Sequence, residues 1–288
     1  MQIKTKIKSN QAFLIGILMI TIFVFAGCEK VINLNLVESK PQLVIEGLIT
    51  DGVGPYTVKL SKTGSYFDEP VLPLVSKAVV VISDNLGITD TLKETKPGIY
   101  LTSKVKGIPG RTYNLSVLSE NIRYTGSSTM FSHIAIDSLK LRKSYAPGFG
   151  AGTNGQQEFR VEIHCFFRDP LEKNFYRTLV YMSNRPLVED YKLYDDQYTN
   201  GKQTELQVKR AQVGDKIRVD LMSLDKNTYE YYLTLSDLLH SNPIFGSTPM
   251  NPNTNLTNGA LGFFGACAIS TKTIIITESL YNNAKYSE

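Results

Sequence analysis

Ala78-Val79-Val80-Val81-Ile82-Ser83, followed at once by Asp84-Asn85-Leu86-Gly87, is the stretch whose reading decides the fold class. A short unbroken run this rich in β-branched side chains suits a buried strand. Asp-Asn-Leu-Gly supplies hairpin chemistry, and Thr89 to Lys93 reads as the strand that pairs back. Outward from this hairpin, Arg111 to Leu118 alternates Tyr113, Leu115 and Val117 with Thr112, Asn114 and Ser116. That is the period of a strand with one apolar and one polar face. Pro97-Gly98 and Pro109-Gly110 precede the short strand Ile99-Tyr100 and the strand at 111–118. Upstream, Gln42 to Ile49 and Tyr56 to Ser61 read as strands split by the turn cluster Asp51-Gly52-Val53-Gly54-Pro55. Strands at this spacing, broken by Gly and Pro turns, predict an antiparallel β-sandwich over residues 41–130.

The pattern changes near residues 126–137. Strands are expected beyond it at 138–143, 157–167, 175–183, 204–209, 216–222, 259–270 and 273–277. Asp225 to His240 is the one helix, with Tyr229, Tyr232, Leu233, Ser236 and Leu239 on a shared face and Asp225 able to cap its start. Residues 131–288 are therefore expected to form a second, β-rich domain with a helix at 225–240. The predicted fold class is mainly all-β: two tandem antiparallel β-sandwich-like domains, the second with one helix.

The N-terminus carries an address. Lys4, Lys6 and Lys8 precede a run from Phe13 to Phe25 that is apolar except for Gly16 and Thr21. About a dozen such residues suit a signal peptide, whereas a membrane span needs about 20. Phe25-Ala26-Gly27-Cys28 then resembles the lipobox of bacterial lipoproteins, with Phe25 in place of the commoner Leu. The expectation is a signal peptide at 1–27, lipidation (palmitate) on Cys28, and a tether over 28–40. Each buried acyl methylene contributes about 0.8 kcal/mol, and several chains on one cysteine anchor stably. The expected place is the outer membrane, with the periplasmic and surface faces left open. The formal charge of +4 misleads, because three of the 31 basic residues and none of the 27 acidic ones lie in the signal. The remaining chain has 28 basic and 27 acidic residues, or +1, which gives no electrostatic footprint for nucleic acid.

Chemistry-bearing residues are sparse. Cys165 and Cys267 both fall in expected strands and point to a core, where a disulfide between them competes with two separate buried thiols. His133, His164 and His240 lie far apart, and no HExxH, GxSxG or CxxC is present. Asp196 to Gly201 begins like a calcium-binding EF-hand loop, with Asp196 and Asn200 as weak ligand candidates, but Tyr198 occupies the third ligand place and Gln207 the twelfth. No cofactor is expected. Tyr191, Tyr194 and Tyr198 punctuate an acidic loop and form a candidate surface for a ligand or a protein partner. Phe245 and Met250, in the long loop from Asn242 to Asn258, form a second such surface.

Several stretches line up with one family. They are CEKVINLNL from Cys28, PQLVIEGLITDGVGPYTVKLSKTGSYFDE from Pro41, the AVVVISDNLG hairpin, PGIYLTS with GIPGRTYNLSV, the Arg168-Asp169-Pro170 tripeptide, and NPIFGSTPMNPNTNLTNGALGFFGA from Asn242. Together they resemble the Bacteroidota-type outer-membrane lipoproteins of domain-of-unknown-function family 4249. The segment from Val75 to Val117 also resembles the carboxypeptidase-regulatory or transthyretin-like sandwich, a module that serves as a scaffold. The family resemblance implies no established activity. It implies a noncatalytic lipoprotein at the outer membrane, a binding or accessory component of a TonB-dependent nutrient-uptake system. The expected partners are the membrane, through the lipid on Cys28, and a TonB-dependent receptor, with a small-molecule or glycan ligand left unidentified. The alternatives are a structural or adhesive surface protein, and a hydrolase whose site assembles from distant residues.

Overall fold

The Ala78–Ser83 run forms the strand its composition demands. In the computed structural model, which describes residues 40–64, 72–145, 159–182, 192–240 and 251–286, it is β3 (Val79–Asp84). The strands before and after it are β1 (Leu43–Thr50), β2 (Thr57–Lys62), β4 (Thr89–Thr91), β5 (Lys93–Lys96), β6 (Ile99–Leu101), β7 (Thr112–Ser119) and β8 (Ile122–Thr129). Val80 and Ile82 face Val117 and Leu115 of β7 across an antiparallel ladder, and all four are buried. Fully burying side chains of this size contributes roughly 1.5–3 kcal/mol each. The hairpin turn is held by Asp84, whose Oδ1 accepts from the backbone N–H groups of Leu86 and Ile88 at 3.0 and 2.8 Å, while Oδ2 pairs with Arg111. Burial alone would raise the Asp84 pKa, but these two N–H groups and the guanidinium outweigh it and hold the carboxyl below its usual range.

The second half supplies β9 (Ile136–Tyr145), β10 (Phe159–Arg168), β11 (Phe175–Met182), β12 (Lys192–Asp195), β13 (Gln203–Arg210), β14 (Lys216–Leu224), helix α1 (Lys226–His240), β15 (Leu261–Ile275), the short helix α2 (Glu278–Asn282) and β16 (Lys285–Tyr286). The strands make three sheets: a long one ordered β12-β11-β14-β15-β1-β2-β6-β5, and two of four strands, β13-β10-β9-β16 and β4-β3-β7-β8. The fold is mainly β, and nearly all neighbouring strands run antiparallel, as expected.

β15 is where the architecture departs from two domains in tandem. Its first half runs parallel to β1, pairing Leu261 with Val44 through Cys267 with Thr50. Its second half runs antiparallel to β14, pairing Ala268 with Ser223 through Ile275 with Lys216. One strand thus joins the sheet of the first sandwich to that of the second, where a break between 270 and 273 was expected. The core of the first sandwich accordingly mixes Ile45, Leu60, Val80 and Leu115 with Leu256, Phe264 and Ala266 from the far end of the chain. The second core gathers Val161, Ile163, Phe167, Tyr176, Val208 and Val219. The boundary expected after residue 130 therefore does not divide the two cores, because Leu256 to Ala268 return to the first, and the long sheet crosses it, so that the chain from Pro41 onward clusters as one compact unit.

Close approach along β15 needs glycine at one position. Gly262 has φ +86°, and a Cβ there would lie 2.1 Å from the carbonyl oxygen of Ile45. Among the described residues, no strand pairs with the opposite edge of the first half of β15. Asn255 replaces one there. Its Oδ1 accepts from the Phe264 N–H at 3.1 Å, and its Nδ2 donates to the Phe264 and Ser127 carbonyls at 2.6 and 2.9 Å. A side-chain amide thus does the work of a peptide group, which spares buried backbone the cost of going unpaired.

α1 begins as expected at Asp225, whose Oδ1 accepts from the Thr228 N–H at 2.7 Å. The face it buries keeps Tyr229 and Tyr232 of the expected one, adds Tyr231 and leaves out Leu233 and Leu239. Tyr231 stacks on Phe263 with ring centroids 4.5 Å apart, Tyr229 meets Phe175 at 4.7 Å, and the Arg177 guanidinium lies 4.1 Å from the Tyr232 ring centre. Leu233 and Leu239 are exposed. The first two turns cover a third cluster built on Met222, Leu224 and Cys267 of the long sheet, and the last turn does not reach it.

Candidate functional site

The polar face that alternation assigns to β7 becomes the floor of a groove. Asn114 and Ser116 of β7 line it with Ser83 of β3 and Thr125 and Ser127 of β8, on the outer face of the β4-β3-β7-β8 sheet. Its wall is the segment just before β15. The Thr257 N–H donates to the Thr125 carbonyl at 2.9 Å, the Thr125 N–H returns a bond to Thr257 Oγ1 at 2.9 Å, and Asn258 Nδ2 reaches the Arg123 carbonyl at 2.6 Å. The groove encloses about 390 Å³, and none of its lining residues is ionisable. Hydroxyls and amides arranged this way donate and accept without themselves being charged, and the nearby Arg123 guanidinium donates to Ser116 Oγ at 2.7 Å. They suit an uncharged polar ligand held by several hydrogen bonds, each contributing about 0.5–1.5 kcal/mol net.

A second, charged feature lies at one end of the other sandwich. Asp169, just past β10, and Asp196, just past β12, are 1% and 2% exposed. Asp196 Oδ2 accepts from the Asn174 N–H at 2.6 Å, and Asp169 Oδ1 accepts from the Tyr176 hydroxyl. Burial, and secondarily the neighbouring Asp196 charge, push the Asp169 carboxyl above its ordinary value despite the Tyr176 hydrogen bond. Burial and the same acids also raise the Tyr176 phenol. Asn200 does not join the pair: it is exposed, in a turn whose Thr199 and Asn200 N–H groups bond the Asp196 carbonyl. The EF-hand register is not adopted. Asp196 turns inward, and Asp169 rather than Asn200 is the carboxylate beside it.

The remaining candidates separate. Tyr194 donates its hydroxyl to the Gln207 carbonyl at 3.0 Å and packs against the second core, which leaves Tyr198 as the exposed ring, at 80%. Tyr191, Phe245, Met250 and the lipidation site Cys28 lie outside the described residues. The described end of the long loop, from Asn251, packs on the first sandwich, where Asn255, Thr257 and Asn258 bond to β8. Cys165 and Cys267 are free thiols in different clusters, the second core and the one beneath α1, so the disulfide weighed between them is not formed. Burial pushes Cys165 up to about 12 and raises Cys267 as well.

Each histidine has its own surroundings. His133 Nε2 lies 3.3 Å from Ser270 Oγ, and His240 Nδ1 lies 2.8 Å from the Ser236 carbonyl. Glu205 Oε1 is 2.9 Å from His164 Nδ1, at ion-pair distance but off the line of a hydrogen bond. Burial lowers the His164 pKa, against the pull of Glu205 and Glu162. Among the described residues, no histidine meets both a carboxylate and a hydroxyl, the set a hydrolase would need. No group of three or more His, Cys, Asp or Glu side chains placed to hold a metal occurs among them either.

Sequence reasoning missed the groove because one wall comes from β8, an unrecognised strand, and the other from a segment 130 residues away. The polar alternation of β7 was the available signal. Comparison with curated proteins gives no match. A family model, described as a domain of unknown function (DUF4249), matches residues 29–273, which include the groove, the acid pair and every strand except β16 and the end of β15. The chain belongs to the DUF4249 family.

Proposed function

We propose that this protein is a noncatalytic, lipid-anchored binding protein of the outer membrane that acts as an accessory component of a TonB-dependent uptake system. The observation that carries the reading is the short apolar run ending in Phe25-Ala26-Gly27-Cys28, which fits lipid attachment outside the cytoplasm. The neutral groove on the first sandwich supports the binding half of the reading, and its chemistry favours an uncharged polar nutrient such as a saccharide. Scattered histidines support the noncatalytic half.

Replacing Cys28 by Ser tests the anchor. The wild-type chain is expected in the outer-membrane fraction and the variant in the soluble fraction. Identical fractionation would overturn lipid anchoring. Growth of a deletion strain on a panel of single carbon sources tests the uptake role: a defect on a subset of nutrients is expected. Wild-type growth on all of them speaks against it.

A further inference from the structure

Asp169 and Asp196 are a charge problem that the described residues do not solve. Both carboxylates are buried, and among the described residues no Lys or Arg forms an ion pair with either. Leaving a carboxylate charged in an apolar interior costs several kcal/mol unless a counter-charge arrives. The hydrogen bonding of Asp169 is incomplete as well. Asp196 holds the Asn174 N–H on Oδ2, and Asp169 holds the Tyr176 hydroxyl on Oδ1. Asp169 Oδ2 is buried and makes no well-aligned hydrogen bond, although the Gly201 N–H lies close enough to the carboxyl to favour its charged form. An orphaned carboxylate oxygen is the atom a cation would take.

The backbone fixes the two acids from opposite sides. The Asp169 N–H donates to the Lys202 carbonyl at 2.9 Å, and the Gly201 N–H donates to the Pro170 carbonyl at 2.9 Å. The Arg168-Asp169-Pro170 turn is thereby tied to the 196–202 turn, and the Asn174 bond to Asp196 closes the loop between them. Such a site is preorganised, because the acids are held by main chain rather than by their own flexibility.

We propose that Asp169 and Asp196 bind a calcium ion that ties the two turns together. Oxygen donors select a hard cation, and calcium tolerates the irregular coordination that two aspartates and added waters provide. With few protein ligands the site belongs to the weak extracellular class, with Kd on the order of 10⁻⁴–10⁻³ M. This proposal does not depend on the groove or on the uptake role.

The test uses the full chain in detergent, stripped with EDTA and titrated with Tb³⁺ under tyrosine excitation. The sequence contains no Trp, so tyrosine alone sensitises the ion, and Tyr176 sits on Asp169 itself. Saturable Tb³⁺ emission is expected, displaced by Ca²⁺ at sub-millimolar to millimolar concentration. Asp169→Asn and Asp196→Asn should each weaken binding at least tenfold. If either variant fails to fold, the wild-type chain still decides the matter: Ca²⁺ should raise its thermal midpoint and EDTA should reverse the rise. Absence of saturable emission, no Ca²⁺ effect on the midpoint, or emission unchanged in a folded Asp169→Asn variant would overturn the proposal.

Discussion

Asp225 is the side chain on which two parts of the fold converge, and removing it should cost more than a helix cap. Its Oδ1 accepts from the Thr228 N–H at 2.7 Å, while Oδ2 accepts from Ser128 Oγ at 2.5 Å and from the Thr129 N–H at 3.0 Å. Ser128 Oγ in turn accepts from the Ala266 N–H at 2.8 Å. One carboxylate therefore starts α1, holds the end of β8 and, through Ser128, steadies β15. Losing an N-cap costs about 0.5–2 kcal/mol. Leaving a buried donor without its acceptor costs about 1–3 kcal/mol more. Asp225→Ala should therefore lose roughly 1.5–5 kcal/mol, a large share of the 5–15 kcal/mol typical of a folded domain. Asp225→Asn keeps one acceptor oxygen and should lose about half as much. Urea unfolding of the full chain in detergent, followed by near-UV tyrosine signal, measures both. Ser128 transmits the effect, so the double variant with Ser128→Ala should be non-additive by about 0.5–3 kcal/mol. A loss under about 1 kcal/mol for Asp225→Ala, or strict additivity with Ser128→Ala, would refute this reasoning.

Asp90 should make the first sandwich acid-sensitive. Burial acts against its charge, yet the N–H groups of Lys104, Ser103 and Val105 and the Ser103 hydroxyl outweigh it and depress its pKa below 3.8. A depressed carboxyl contributes stability that is fully present above its unfolded pKa and is lost as pH falls through the folded one. Stability of the wild-type chain should therefore drop below about pH 4 more steeply than that of Asp90→Asn, which is weaker throughout; parallel pH profiles would contradict this. Cys165 and Cys267 should resist alkylation at pH 8 in the folded chain and react fully in denaturant, with no difference between reduced and unreduced samples; a mass shift on reduction would reveal a disulfide.

Most strands were legible because alternation and turn chemistry agree. β7 shows a clean period of two, β3 an unbroken β-branched run, and Gly or Pro turns lie beside both. β8 was not legible, because Ile122–Thr129 is mostly Arg, Ser, Thr, Tyr and Gly and carries no apolar stripe. Its turn was the missed signal: Glu120 and Asn121 both have positive φ, 51° and 64°, as a two-residue hairpin turn demands, but Glu120 disguises the usual Asn-Gly form. β15 was read as two strands because Thr271-Lys272-Thr273 interrupts its apolar run. Those three residues are exposed although the strand goes on pairing with β14, so polarity there reflects solvent and not a turn. The sharing of β15 between two sheets is a long-range pairing that no local pattern encodes. The acid pair was half legible: Asp196 stood out in a ligand-like loop, but its neighbour comes from a tripeptide 27 residues earlier.

The account stands most directly on a physical association at the outer membrane. Affinity purification of the tagged full chain from mildly solubilised membranes, after brief crosslinking, measures it, with the Cys28→Ser variant as control. The account predicts that a TonB-dependent receptor is the principal protein recovered with the wild-type chain and is lost with the variant. Recovery of no receptor from the wild-type chain, across growth conditions that induce it, would contradict the account.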